Sequence, residues 1–485
     1  MKQLSSLIIA ILLAFTVQAQ HSIVVHLDTA VKKALNGRLY IFSSKDTTRG
    51  VQDPDPFNPT PTFVLDVKNW KSSEVKRIDS TAAAYPVKLN KVQPGYYKFA
   101  AVLDIDTEER NNTVTPGNYY SRDVLVQVKP GEPFTIHLNL NRVIPQRTFK
   151  ETEQIKALQL KSELVSAFRK KDSYIKAAVV LPKSYYQNPS ANYPVVFVIP
   201  GWGGTHYDVY NPAISKRYGF TTGKEKIFVY LNPETNNPFG LHAFIDSRVN
   251  GPWGKALVEE LIPFVKKNYR ISNQYFVAGQ SSGGYAALWL QLNYPTVFTA
   301  SWAVSPDPVD FSDFTGVNLY TKNANMYYDA DGKERGMFFM NGQYLSTVKR
   351  YAGFEDFLGD GGQMQSFEAA FGLLDAKTGK PQMLFNRSTG TINSQVAKTW
   401  KPYDLGLFME TKYNKLSSLL DDKIFVFAGA EDNFLLNRSV EAFKKKVDGM
   451  HAKATVELIA GANHWSIWTE AFTQQMHKVM DERIK

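Results

Sequence analysis

At Tyr275-Phe276-Val277-Ala278 an apolar run meets Gly279-Gln280-Ser281-Ser282-Gly283 and passes straight into Gly284-Tyr285-Ala286-Ala287-Leu288. Little else in the chain restricts the fold as strongly. A strand that turns into a helix over so few residues leaves no room for side chains two positions before and after the central serine, and glycine stands at both, 279 and 283. Such a turn holds Ser281 on a strained backbone with its hydroxyl above a sheet. The helix N-terminus beneath it favours developing negative charge. A bare G-x-S-x-G arises often by chance, so the weight lies in the strand before it and the helix after it. Ser282 is the neighbouring hydroxyl and lacks the symmetric glycine flanks.

The pattern around this turn extends over most of the chain. From about residue 173, apolar strands alternate with amphipathic helices. Strands are predicted at Ile175–Leu181, Val195–Ile199, Lys226–Leu231, Gln274–Ala278, Ala300–Val304, Lys423–Phe427 and Thr455–Ile459. Helices are predicted at Gly254–Asn268, Gly283–Leu292, Ser439–Val447 and the C-terminus. Alternation of this kind gives an α/β fold with a mostly parallel central sheet covered on both faces. Residues 20–148 differ: short alternating runs such as Ser22–Leu27, Gly37–Phe42, Tyr96–Leu103 and Phe134–Leu140 are separated by Pro, Gly and Asn clusters. They predict an all-β, sandwich-like domain ahead of the α/β domain at 149–485. With 485 residues, more than one domain is expected in any case. Between about 305 and 422 the alternation lapses over an aromatic-rich stretch, read as a cap insertion shaping a pocket.

A serine hydroxyl needs a base. His464, in Ala462-Asn463-His464-Trp465, directly follows the last strand, Thr455–Ile459. His206 could line a pocket; His451 and His477 look exposed. The order serine, acid, histidine places the acid after the preceding strand. Ala430-Glu431-Asp432-Asn433 lies there, and Asp432 has the longer reach, with Glu431 the alternative. A tetrahedral intermediate also needs two fixed N–H donors. One is expected from Ser282. The other is expected from Pro200-Gly201-Trp202-Gly203-Gly204, after strand Val195–Ile199, with Trp202 first and Gly201 next.

Composition removes several other classes. Cysteine is absent, so there are no disulfides, thiolate metal sites or cysteine nucleophile. The net charge of +10 is spread along the chain and carries no nucleic-acid-binding motif, so it reads as a solvated surface. Asp104, Asp106 and Glu108, and Asp329-Ala330-Asp331-Gly332, lack a full calcium-loop pattern and read as a solvated strand end and a polar turn. No metal site and no cofactor are expected. Residues 1–19 have the charged start, apolar stretch and small residues near Ala19 of a signal peptide. The apolar stretch is too short to span a bilayer. Export to the periplasm or outside the cell is expected, with no stable membrane anchor. The sequence sets no oligomeric state.

The motifs resemble those of the putative esterase family of the α/β-hydrolase superfamily, which includes enterochelin esterases, feruloyl and acetylxylan esterases and S-formylglutathione hydrolase. The resemblance covers roughly residues 158–485. It rests on Val277–Gly284, Gly251-Pro252-Trp253-Gly254, Glu259-Glu260-Leu261-Ile262-Pro263, Asn268-Tyr269-Arg270, and Asn463-His464-Trp465 with Trp468. Ser305–Phe311 and Trp400-Lys401-Pro402-Tyr403-Asp404 look like a secreted branch carrying an N-terminal β-domain. The resemblance implies an α/β-hydrolase domain and a serine esterase in which Ser281, Asp432 and His464 form a triad. Gly201, Trp202 and Ser282 would supply the oxyanion amides. It implies a small-molecule or polysaccharide ester as substrate, such as a feruloyl or acetyl ester of a carbohydrate. The rivals are a siderophore lactone esterase, a peptidase using the same triad, and a catalytically silent glycan-binding protein.

Overall fold

The computed structural model describes residues 20–485 except 49, 52–53, 107–108 and 235–238. The expected signal peptide, 1–19, and Glu108 of the acidic trio lie outside the described residues. The chain divides into two units. The first is Met1–Pro54, Thr60–Leu103 and Tyr119–Val143; the second is Asp55–Pro59, Asp104–Asn118 and Ile144–Lys485. Residues 55–59 and 104–118, inside the stretch expected as one β-rich domain, thus fall in the second unit.

The described residues of the first unit form β-strands and their connections, with one 3₁₀ turn at Leu89–Lys91. Strand Ser22–Leu27 pairs antiparallel with Val75–Ile78 and parallel with Thr135–Leu140. A seven-stranded sheet is built around Leu35–Ser44 and Gly95–Asp104. Thr135–Leu140 alternates strictly, burying Ile136, Leu138 and Leu140 while the residues between stay exposed. This period of two is what a sheet with one covered face requires.

The second unit is an α/β domain around an eight-stranded sheet. Its strands are β1 (Ile155–Lys161), β2 (Tyr174–Val180), β3 (Tyr193–Ile199), β4 (Ile227–Leu231), β5 (Ile271–Ser281), β6 (Ala300–Pro306), β7 (Ile424–Gly429) and β8 (Thr455–Ile459). Their order is β1-β2-β4-β3-β5-β6-β7-β8. β2 pairs antiparallel with β1 and β4; every other pairing is parallel. Every residue of β3, β4 and β6 is buried, as continuous apolar strands between two helical layers must be. β1 (Ile155–Lys161) is an edge strand in which only Leu158 is fully buried, so its sequence carries little period.

The stretch between β6 and β7 holds more regular structure than its sequence suggested. A hairpin, Gly336–Met340 with Gln343–Thr347, is followed by helices Val348–Leu358, Gln363–Phe371, Ser394–Trp400 and Leu405–Leu420. The aromatics are its core: Phe311, Phe314, Phe367, Phe371 and Trp400 pack ring to ring at 5.1–6.2 Å. Among the described residues, no helix is long and apolar enough to cross a membrane.

Candidate active site

The central strand β5 runs into helix Ser282–Asn293 through Ser281, whose φ of 56° and ψ of −124° lie outside the regions that side-chain-bearing residues normally occupy. The two glycines make this possible. A Cβ on Gly279 would fall on the Gly283 carbonyl, and one on Gly283 would fall on the Ile199 carbonyl of β3. The serine hydroxyl is therefore presented at the carboxyl end of the sheet, at the start of a helix.

The loops after β7 and β8 bring Asp432 and His464 together. Asp432 Oδ2 lies 2.8 Å from His464 Nδ1, with both side chains buried. The carboxylate is fixed from behind: its Oδ1 accepts the Phe434 N–H at 2.9 Å. The imidazole is fixed in turn, with Asn433 Oδ1 accepting the His464 N–H at 3.2 Å and Gln280 Nε2 donating to the His464 carbonyl at 2.6 Å. Glu431 is exposed on the same turn. The other histidines flagged in the sequence lie elsewhere. His206 stacks on Phe149 and meets Asn232 Nδ2 at 3.2 Å; burial lowers its pKa to about 3. His477, expected to be exposed, is buried on the inner face of helix Glu470–Arg483, 3.0 Å from the Tyr218 carbonyl; burial lowers it to about 4. The helix's short apolar stripe concealed which face that histidine occupies.

The loop after β3 closes over the serine. A Cβ on Gly201 would come within 3.1 Å of Ser281 Cβ, so glycine lets this backbone approach the nucleophile. Two later amides of the loop are engaged: Gly203 N–H donates to Glu234 Oε1 at 2.6 Å and Gly204 N–H to the Gly201 carbonyl at 3.0 Å. Gly201 and Trp202, which precede them, line the same cavity as Ser281.

Three side chains escaped the sequence reading. Asp307, just past β6, accepts the Ser281 hydroxyl at 3.2 Å, the Ser282 hydroxyl at 2.6 Å and Gln363 Nε2 at 3.2 Å. Burial raises its pKa to about 6, against those hydrogen bonds and His464. Its only signal was a carboxylate beside the nucleophile strand. Arg110 and Glu234 form a buried pair beside the Gly201–Gly204 loop, with Arg110 Nε 2.7 Å from Glu234 Oε2. Nothing in their local sequence points to it. Asp104, expected at a solvated strand end, is half-buried, accepts Asn118 Nδ2 at 2.9 Å and has its pKa raised to about 6 by burial.

Ser281, His464, Gly201 and Trp202 line a cavity of about 360 Å³, whose apolar wall includes Phe57 and Phe434. The arrangement offers a hydroxyl, a carboxylate-held imidazole and a glycine-containing loop around one space. Among the described residues there is no group of three or more side chains suited to hold a metal ion.

A ferulic acid esterase structure matches 68% of this chain and 99% of its own at 16% identity, with a TM-score of 0.43. The S-formylglutathione hydrolase of Agrobacterium tumefaciens matches 68% of this chain and 95% of its own at 15% identity, TM-score 0.41. The fluorophosphonate-binding serine hydrolase F of Staphylococcus aureus matches 68% and 98% at 13% identity, TM-score 0.38. No curated protein matches the chain. The family model described as "Putative esterase" matches residues 170–479, well over half of the chain. On that match, and on a sheet and elbow of the kind the family implies, the chain belongs to the putative esterase family and is a carboxylic ester hydrolase.

Proposed function

We propose that the protein cleaves esters through an acyl-enzyme on Ser281, with His464 as base, Asp432 as its orienting acid, and the amides of Trp202, Gly201 and Ser282 as oxyanion donors. The observation that carries this reading is the buried Asp432–His464 contact of 2.8 Å, with His464 lining the same cavity as Ser281. The Ser281 hydroxyl turns from Asp307 to His464 Nε2, gives up its proton, and attacks the ester carbonyl. Charge moves to the carbonyl oxygen, where preorganised amides are worth most because they need not reorient. Asp432 keeps Nδ1 protonated, so that Nε2 can accept, and stabilises the imidazolium. His464 then returns the proton to the departing alcohol. Water, deprotonated by the same imidazole, releases the acid.

The substrate proposed is an acylated carbohydrate carrying a feruloyl or acetyl group. Support comes from the sequence resemblance and from a wall of Phe57, Phe434 and Trp465 that suits a flat acyl group or a sugar face. The leader-like residues 1–19 support a site of action in the periplasm or outside the cell. Incubation of the mature protein and its Ser281→Ala variant with a fluorophosphonate probe, followed by peptide mass spectrometry, tests the mechanism. Label on Ser281 alone, absent from the variant, is expected. A folded wild type that takes no label, yet binds glycans equally well with and without Ser281, would favour the silent binding protein.

A further inference from the structure

Segment Asp104–Asn118 belongs to the same unit as the esterase site although it is far from it in sequence. Its Arg110 enters a buried position. Nε donates to Glu234 Oε2 at 2.7 Å and Nη2 to Glu234 Oε1 at 3.2 Å, with the side chains only 8% and 9% exposed. That fork-to-carboxylate match is the geometry in which an arginine holds a carboxylate in one orientation. The held carboxylate then acts on the loop: Glu234 Oε1 takes the Gly203 N–H at 2.6 Å. The guanidinium also lies over the Trp202 ring, 4.2 Å from its centre. Burial opposes the charge on Arg110, but Glu234 and Asp360 together favour it, the net shift is upward, and the group stays cationic.

Gly203 is the residue after Trp202, and its φ of 81° is a conformation that only glycine adopts without strain. The local sequence closes this turn with the Gly204 N–H bond to the Gly201 carbonyl at 3.0 Å. From outside the loop, Arg110 also meets the Trp202 ring and Glu234 takes the Gly203 N–H.

We infer that Arg110 is a positioning residue of the ester-cleaving reaction: through Glu234 and the Trp202 ring it sets the direction of the loop amides that receive the oxyanion. The inference rests on the serine-esterase reading above. Arg110 touches no reacting atom. Its contribution therefore belongs to the transition state, where a donor displaced by a fraction of an ångström loses its value, and not to substrate affinity.

The test measures 4-nitrophenyl acetate hydrolysis by wild type, Arg110→Met and Arg110→Lys, with kcat expressed per active site titrated to completion by a fluorophosphonate. Titration removes any loss caused merely by misfolded protein. Inhibition by an aryl trifluoromethyl ketone is measured in parallel. There Ser281 Oγ bonds to the ketone carbon, the carbonyl electron pair moves onto oxygen, and the serine proton passes to His464. In Arg110→Met, kcat is expected to fall on the order of 10–100-fold, ketone affinity to fall by a similar factor, and KM to stay within about threefold. Arg110→Lys, which keeps the charge but not the fork, should lie between. If Arg110→Met does not fold, Glu234→Gln provides the same two readouts with the side-chain shape kept. Values of kcat and ketone affinity within about twofold of wild type, or a loss confined to KM, overturn the inference and leave the esterase reading standing. A wild type that neither labels nor turns over ester overturns both.

Discussion

Two adjacent carboxylates on the turn after β7 differ in what surrounds them. Asp432 is buried against His464 and receives the Phe434 N–H, whereas Glu431 is exposed to water. A carboxylate acts on an imidazole only where it fixes the tautomer and meets the growing positive charge. Asp432→Asn should therefore lower kcat roughly 10⁴-fold, while Glu431→Gln changes it less than about twofold; steady-state hydrolysis of a chromogenic ester separates the two. Ser281, Asp432 and His464 could be singled out from sequence because the glycine-flanked elbow and the order serine, acid, histidine point to particular strand ends. Asp307, Arg110 and Glu234 could not. Asp307 meets Ser281 across 26 residues and Arg110 meets Glu234 across 124, so their positions depend on how strands lie side by side. No local motif encodes that.

At the scale of the elements, the elbow is the tightest joint. Gly283→Ala would push a Cβ into the Ile199 carbonyl and part β5 from β3. The cost expected is about 1–3 kcal/mol, read by urea unfolding, with activity lost beyond what the destabilisation explains. The insertion has a different sensitivity. Glu355, on helix Val348–Leu358, accepts the Met364 N–H at 2.9 Å at the start of helix Gln363–Phe371. Burial raises its pKa from 4.5 to about 8, and burial likewise raises Glu368 to about 7. Both folded-state values lie above the unfolded ones, so the folded protein binds more protons through this range. Their contribution to stability is complete below about pH 4.5 and is lost as pH rises through about 8. Tm should fall between pH 5 and pH 8, and Glu355→Gln should reduce that fall. These helices were hidden in the sequence because their apolar residues face one another within the insertion, with no strand alternation to frame them. Buried strands such as Val195–Ile199, by contrast, are apolar throughout and were easily seen.

For the molecule as a whole, the α/β alternation and the β-rich stretch before it were legible because each repeats one period many times. The assignment of Asp55–Pro59 and Asp104–Asn118 to the hydrolase unit was not, since loops leaving a β-rich stretch carry no period. Those two excursions supply Phe57 and Arg110 to the esterase unit, so its site draws on residues far outside the family match at 170–479. The claim on which everything else depends is that ester cleavage passes through Ser281. Rapid-quench mixing with 4-nitrophenyl acetate, followed by peptide mass spectrometry, tests it most directly. The account predicts a burst of nitrophenolate close to one equivalent per active site, with the acetyl group on the peptide carrying Ser281. Turnover without that acetyl peptide, or acetyl found on another residue, would contradict it.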